Sequence, residues 1–148
     1  MLTVDLAELP TLVGQDLGYS DWVVVDQDRI NSFADATEDH QWIHVDVPRA
    51  TAALGGTIAH GFLTLSLLST FSYQALEVRD AAKGVNYGFN KIRFLAPVPA
   101  GSRVRGRQTL DAVEEKGGGW LLTRTVTVEI EGQEKPALLA EWLTAIYP

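Results

Sequence analysis

The chain predicts an α+β fold, an antiparallel five-stranded sheet wrapped around one long central helix. Three observations carry that expectation. A run from about residue 59 to residue 77 is apolar around most of a helical circumference, the mark of a buried helix. Everything after Gly84 switches to the two-residue alternation of strands. Helices and strands are grouped along the chain instead of alternating, which argues against α/β. At 148 residues, 46% apolar and 21% charged, the composition is that of one ordinary globular domain spanning 1–148, and no repeat or low-complexity linker divides it.

Taken in order, Asp5-Leu6-Ala7-Glu8 reads as a capping box opening a short helix that Gly14 ends. Residues 22–25 form a short β-rich run, the first strand. Ile30, Phe33 and Ala34 stand at helical spacing, with Asp28 as N-cap and an end near Thr37. Residues 38–57 hold no clear period, and a long weakly patterned segment in a compact domain is often functional. In the helix expected over 59–77, Phe62, Leu63, Leu65, Leu67, Leu68, Phe71, Tyr73 and Leu76 supply the apolar surface. The strands that follow are 85–95, stopped by Pro97 and Pro99; 103–113; 120–130 after a Gly117-Gly118-Gly119 turn; and 138–147, apolar on both faces. In 120–130, Trp120, Leu122, Val126, Val128 and Ile130 share one face, and Thr123, Thr125, Thr127 and Glu129 the wetter one.

Composition excludes several roles. A net charge of −7 argues against a general nucleic-acid binder, which presents a basic face. With no cysteine there are no disulfides, thiolate nucleophiles or thiolate metal sites. Met1 to Asp5 lacks the basic start and apolar run of a signal peptide. The most apolar stretch, 62–71, is broken by Thr64, Ser66 and Ser69 and falls short of the ~20 residues a membrane span needs. A cytoplasmic protein with neither membrane nor nucleic-acid partner is expected.

All three histidines lie between positions 40 and 60, in Asp39-His40-Gln41-Trp42-Ile43-His44 and in Ala59-His60-Gly61-Phe62 at the start of the buried helix. Adding water to an activated double bond needs a base for the water proton, an acid for the α-carbon and a donor for charge on the thioester oxygen. A carboxylate and an imidazole five residues apart could share one water, and the free N–H groups of a helix start could hold an enolate oxygen. Gly61 leaves such an approach open. Spacing alone is more often that of a solvated turn or a capping pair, and a His60 before a helix more often makes a purely structural hydrogen bond.

The stretch from Phe33-Ala34-Asp35-Ala36-Thr37-Glu38 through Asp39-His40-Gln41-Trp42-Ile43-His44 resembles the hydratase motif of MaoC-like (R)-specific enoyl-CoA hydratases. Ile58-Ala59-His60-Gly61-Phe62 is similar to the start of that family's central helix. Asn86-Tyr87-Gly88-Phe89-Asn90-Lys91-Ile92-Arg93-Phe94, with Pro97-Val98-Pro99-Ala100-Gly101, resembles the next strand and its exit. The blocks fall in family order over nearly the whole chain, nearest the short single-domain, nodulation-protein-N-like and mycobacterial members. The resemblance implies a hot-dog fold, a homodimer, and a hydro-lyase interconverting trans-2-enoyl and (R)-3-hydroxyacyl thioesters of coenzyme A or an acyl-carrier protein. It implies Asp39 and His44 as the acid–base pair, Gly61 as the carbonyl-polarising amide, and Gln41, His60, Ser69 and Asn86 in support. Gln41 stands where many members have Asn, Trp42 where they have Pro and Glu38 where they have Gly; these departures bear on loop shape and acyl preference.

No cofactor beyond the thioester substrate is expected. His40 and His44 have a zinc-compatible spacing, but no third ligand is evident, so no metal is expected. Lys91, Arg93, Arg103, Arg105 and Arg107 form a stretch free of acidic residues, either a patch for coenzyme A phosphates or a solvated strand face. Trp42 either walls the pocket or anchors the loop. The rival functions are a hot-dog thioesterase, which usually lacks the Asp-x4-His pair, and a non-catalytic acyl-thioester-binding subunit of a heteromeric dehydratase, which would have lost it.

Overall fold

Strands dominate the second half of the chain, as the alternation requires. The computed structural model describes residues 1–148. It contains β1 (Leu2–Val4), a 3-10 segment (Leu6–Leu12), β2 (Asp16–Tyr19), β3 (Val23–Val25), α1 (Gln27–Thr37), α2 (Trp42–Val45), α3 (Val47–Leu54), α4 (Gly61–Ser66), α5 (Leu68–Ala75), β4 (Leu76–Val78), β5 (Lys83–Phe94), β6 (Ser102–Lys116), β7 (Gly119–Ile130) and β8 (Leu138–Tyr147). The main sheet is antiparallel in the order β2-β6-β7-β8-β5, with β3 also on β6. It therefore has six strands where five were expected. The strand missed was β2, whose Asp-Leu-Gly-Tyr shows no apolar alternation and which is held to β6 instead by an irregular register around Gly18. β1 and β4 add a small parallel pair, too short to show a period.

The sheet's inner face closes over α4 and α5. Leu63, Leu67, Leu68 and Phe71 meet Val104, Val126, Val128, Leu138, Ala140 and Trp142 in one core. A second cluster lies under the N-terminus, where Leu6, Leu9 and Leu12 meet Leu110 and Leu122. Gly106 on β6 lets the helix pack closely on the sheet: a Cβ there would lie 2.7 Å from Cδ2 of the fully buried Phe71.

The central helix differs from expectation in two ways. It breaks at Leu67, where the Ser66 hydroxyl donates to the Leu63 carbonyl at 2.7 Å and competes with the helix ladder. It is also not buried all round, because Phe62 and Tyr73 are 68% and 76% exposed. Two smaller corrections concern caps and loops. Asp26, not Asp28, caps α1 by accepting from the Arg29 N–H at 2.9 Å. The stretch 38–57 is largely helical, since Asp46 and Gly55 cap the short α3 that its composition concealed.

Candidate active site

Asp39 follows the one residue that turns the chain out of α1. Glu38 ends that helix in the left-handed region, φ 62°, the only non-glycine residue with positive φ. The next turn, α2, carries His44 inward, where it is 6% exposed, and His60 at the N-cap of α4 is 2% exposed. A carboxylate oxygen of Asp39 and one ring nitrogen from each of His44 and His60 lie within 4.8 Å of one another.

Backbone carbonyls fix the two rings. The His44 Nδ1–H donates to the Ile58 carbonyl at 2.7 Å, so its Nε2 carries the lone pair. His60 Nε2–H donates to the Asp39 carbonyl at 2.9 Å and so holds the main chain of Asp39 in place. The rings stack at 3.8 Å, 23° apart, and Phe33 lies against His60 with centroids 4.9 Å apart. Gln27, which sequence reasoning missed, adds a strut: its Nε2 donates to the His44 carbonyl at 2.8 Å while its Oε1 accepts from the Thr57 hydroxyl. Nothing in the sequence marks Gln27, since it opens a helix like any polar residue. Gly61 follows His60 as the first helical residue, whose N–H has no intrahelical acceptor.

His60 is the third metal-compatible group that spacing did not reveal; His40, in contrast, points outward to Asp35 at 2.9 Å, a contact that raises its pKa. One nitrogen of each ring is committed to a backbone carbonyl, an arrangement that metal-bound and metal-free imidazoles share.

The remaining candidates separate into groups. Gln41 caps α2; its N–H reaches the Asp39 carboxylate at 3.3 Å and its carbonyl accepts from the His44 N–H. Trp42 is half-buried beneath the Arg49 guanidinium, 4.2 Å from its ring centroid. Ser69 and Asn86 do not join Asp39. They line a cavity of about 450 Å³ between α5 and the first residues of β5, with Ser72, Arg124, Trp142 and Thr144. Asn86 there accepts from the Trp142 indole at 3.2 Å.

The basic stretch is no single patch. Arg105 pairs with Glu129 at 3.0 Å, its register partner across β6 and β7, Arg103 pairs with Glu131, and Arg107 pairs with Asp16. Arg105 also stacks on Tyr19 and Trp22, and Arg107 holds the Asp16 carboxyl below its ordinary range. Acids supplied by neighbouring strands were invisible within 91–107; they give Arg103 and Arg105 carboxylate partners along a strand-face ladder. Lys91 and Arg93 on β5 are exposed and make no ion pair.

The model of the MaoC like domain matches residues 8–131. Nodulation protein N of Rhizobium leguminosarum bv. viciae is 50% identical over 150 aligned positions, covering 99% of this chain and 93% of that protein. The 3-hydroxyacyl-thioester dehydratase Z of Mycobacterium tuberculosis is 51% identical over 138 positions, covering 92% and 91%. Among solved structures, the (R)-hydratase from A. caviae involved in PHA biosynthesis superposes with a TM-score of 0.75 at 25% identity, covering 92% of this chain and 96% of that one. The sheet wrapped on its helix is thus the hot-dog fold, and the chain belongs to the MaoC-like dehydratase family.

Proposed function

We propose that this protein interconverts trans-2-enoyl and (R)-3-hydroxyacyl thioesters by adding or removing water, with Asp39 and His44 as the acid–base pair and the Gly61 N–H on the thioester oxygen. The observation that carries the reading is the convergence of the Asp39 carboxylate with an imidazole whose tautomer a backbone carbonyl fixes. In the hydration direction, water gives one proton to this pair and its hydroxyl to the β-carbon. The electron pair of the double bond moves toward the carbonyl, and a proton from the pair then reaches the α-carbon. His60 acts as a positioning residue through the Asp39 main chain, and the scheme uses no metal and no cofactor besides the thioester. Membership of the MaoC-like family and the likeness to a 3-hydroxyacyl-thioester dehydratase and an (R)-hydratase support it.

The working form is proposed to be a homodimer. β5 ends the sheet with an unpaired edge, and Val85, Tyr87 and Phe94 on it are 45–52% exposed, alongside Phe62 and Tyr73. Antiparallel pairing of two β5 edges about a twofold axis buries these together. It also sets the Phe94 end of one protomer, beside Gly61, against the Asn86 end of the other. A monomer in sedimentation equilibrium would end that part.

The test is an absorbance assay of purified protein against trans-2-enoyl-CoAs of several lengths, with chiral analysis of the product. Loss of enoyl absorbance giving the (R)-alcohol is expected. Release of free coenzyme A in its place would make the protein a thioesterase, and tight binding without turnover a carrier subunit.

A further inference from the structure

β7 alternates buried and half-exposed residues, and position 124 falls on the buried face between Leu122 and Val126. It is an arginine, 3% exposed. Its hydrogen-bond partners are all neutral: Nη1 donates to Ser72 and Gln108 (the latter at 3.2 Å), and Nη2 to Thr144 at 2.9 Å. Its Nε–H has no partner, and the guanidinium lies 4.4 Å from the Trp142 ring centroid. The three arginines on the outer face of neighbouring β6 each have a carboxylate, whereas this buried one on β7 has none. Burial lowers its pKa only to about 10, so at neutral pH it is a cation inside the protein without a counterion. A buried charge is ordinarily paired, because leaving water without compensation is costly.

Arg124 is not sealed in. It lines the cavity of about 450 Å³ with Ser69, Ser72, Asn86 and Thr144, an unusually polar floor for a pocket meant for hydrocarbon. The one carboxylate in that lining, Glu77, sits at the rim, where it accepts from the Thr3 hydroxyl, and forms no bridge to Arg124. The paired β5 edges proposed above bring this cavity against the Asp39–His44–His60 cluster of the opposite protomer, in the direction an acyl tail would extend.

We propose that Arg124 is the missing half of an ion pair completed by substrate, so that the preferred acyl chain ends in a carboxylate. This rests on the thioester reading of the site. The carboxylate would take the unpaired donor capacity of the guanidinium, with the hydroxyls of Ser72 and Thr144 and the Asn86 amide around it. It gives a reason for the lone cation, and it separates this protein from a hydratase for plain alkyl chains.

The experiment is calorimetric binding of saturated acyl-CoAs of four to eight carbons, each length ending either in methyl or in carboxylate, alongside crotonyl-CoA hydration. At one length or more, the carboxylate form should bind roughly 10- to 100-fold tighter, as a hydrogen-bonded charge pair does. Arg124→Met should abolish or reverse that preference. Ser72→Asp, which keeps the arginine and supplies an internal counterion beside it, should abolish it too and covers the case that Arg124→Met fails to fold. Equal or weaker binding of the carboxylate forms at every length overturns the proposal, as does a preference that survives in either folded variant. Crotonyl-CoA hydration without a carboxylate preference leaves the hydratase reading standing and removes only this one; the preference without any hydration does the reverse.

Discussion

Asp39→Asn separates chemistry from folding more cleanly than any other change in the cluster. The side chain is 50% exposed, the ring nitrogen nearest its carboxylate is His60 Nε2 at 3.9 Å, and its one close hydrogen bond is the 3.3 Å contact from the Gln41 N–H. Asparagine keeps that acceptor, and the carbonyl that receives His60 belongs to the backbone, so folding stability should change by under about 0.5 kcal/mol. Loss of a positioned acid–base group, in contrast, costs about 10²- to 10⁴-fold in rate, equivalent to roughly 2.7–5.5 kcal/mol of barrier. The assays are urea unfolding and crotonyl-CoA hydration followed over a range of concentrations. An unchanged midpoint, a collapsed kcat and a nearly constant KM are expected, the pattern of a group that acts in the transition state. A variant with turnover within about tenfold of wild type refutes the assignment. His44→Gln is less clean than its place in the motif implies. The ring is buried, bonded to Ile58 and stacked on His60, so its removal should also cost about 1–3 kcal/mol of stability.

Other expectations follow from single observations. Glu38 occupies the left-handed position that glycine prefers, so Glu38→Gly should stabilise the protein by about 1 kcal/mol in urea titrations. Charge reversal of Lys91 and Arg93, which are unpaired, should raise the KM for acyl-CoA several-fold, whereas reversal of Arg103 and Arg105 should not, because their charge is already spent on Glu131 and Glu129. Equal effects of the two double variants on KM would show that the ladder also touches substrate. Gly106→Ala forces a methyl against the Phe71 ring, and overpacking of that kind should cost roughly 1–3 kcal/mol in thermal or urea unfolding.

The long strands were legible because a half-buried sheet writes its face into every second residue; β8 occupies 138–147 as expected. β2 was not, because its hold on β6 comes from backbone pairing and the Arg107–Asp16 contact and not from an apolar face. The helix at 59–77 was legible as helix, yet its largely apolar surface suggested a buried helix, where Phe62 and Tyr73 in fact face outward. In the candidate site, Asp39 and His44 could be singled out by residue type and resemblance. His60, which the resemblance put in support, stands within 4.8 Å of both, and Ser69 and Asn86 line a separate concavity of the protomer. Arg124 did leave a signal. It interrupts the apolar parity of β7 between Leu122 and Val126, and a cation in that register is worth following wherever it occurs.

The imidazole at 44 hangs from a carbonyl, and that carbonyl belongs to a piece of chain laced to another. Ile58 N–H bonds the Ile43 carbonyl, Ala59 N–H bonds Val98, and Ala100 N–H bonds Thr57, so the peptide before α4 and the connection leaving β5 act as one splint. Main-chain bonds are indifferent to side-chain identity but not to spacing. Substitutions at the exposed Pro97 and Pro99 should therefore be forgiven, unlike those at buried Val98 or at Gly101 with its φ of 91°, while inserting or deleting a single residue there would swing the ring away from the water without altering any group that meets the substrate.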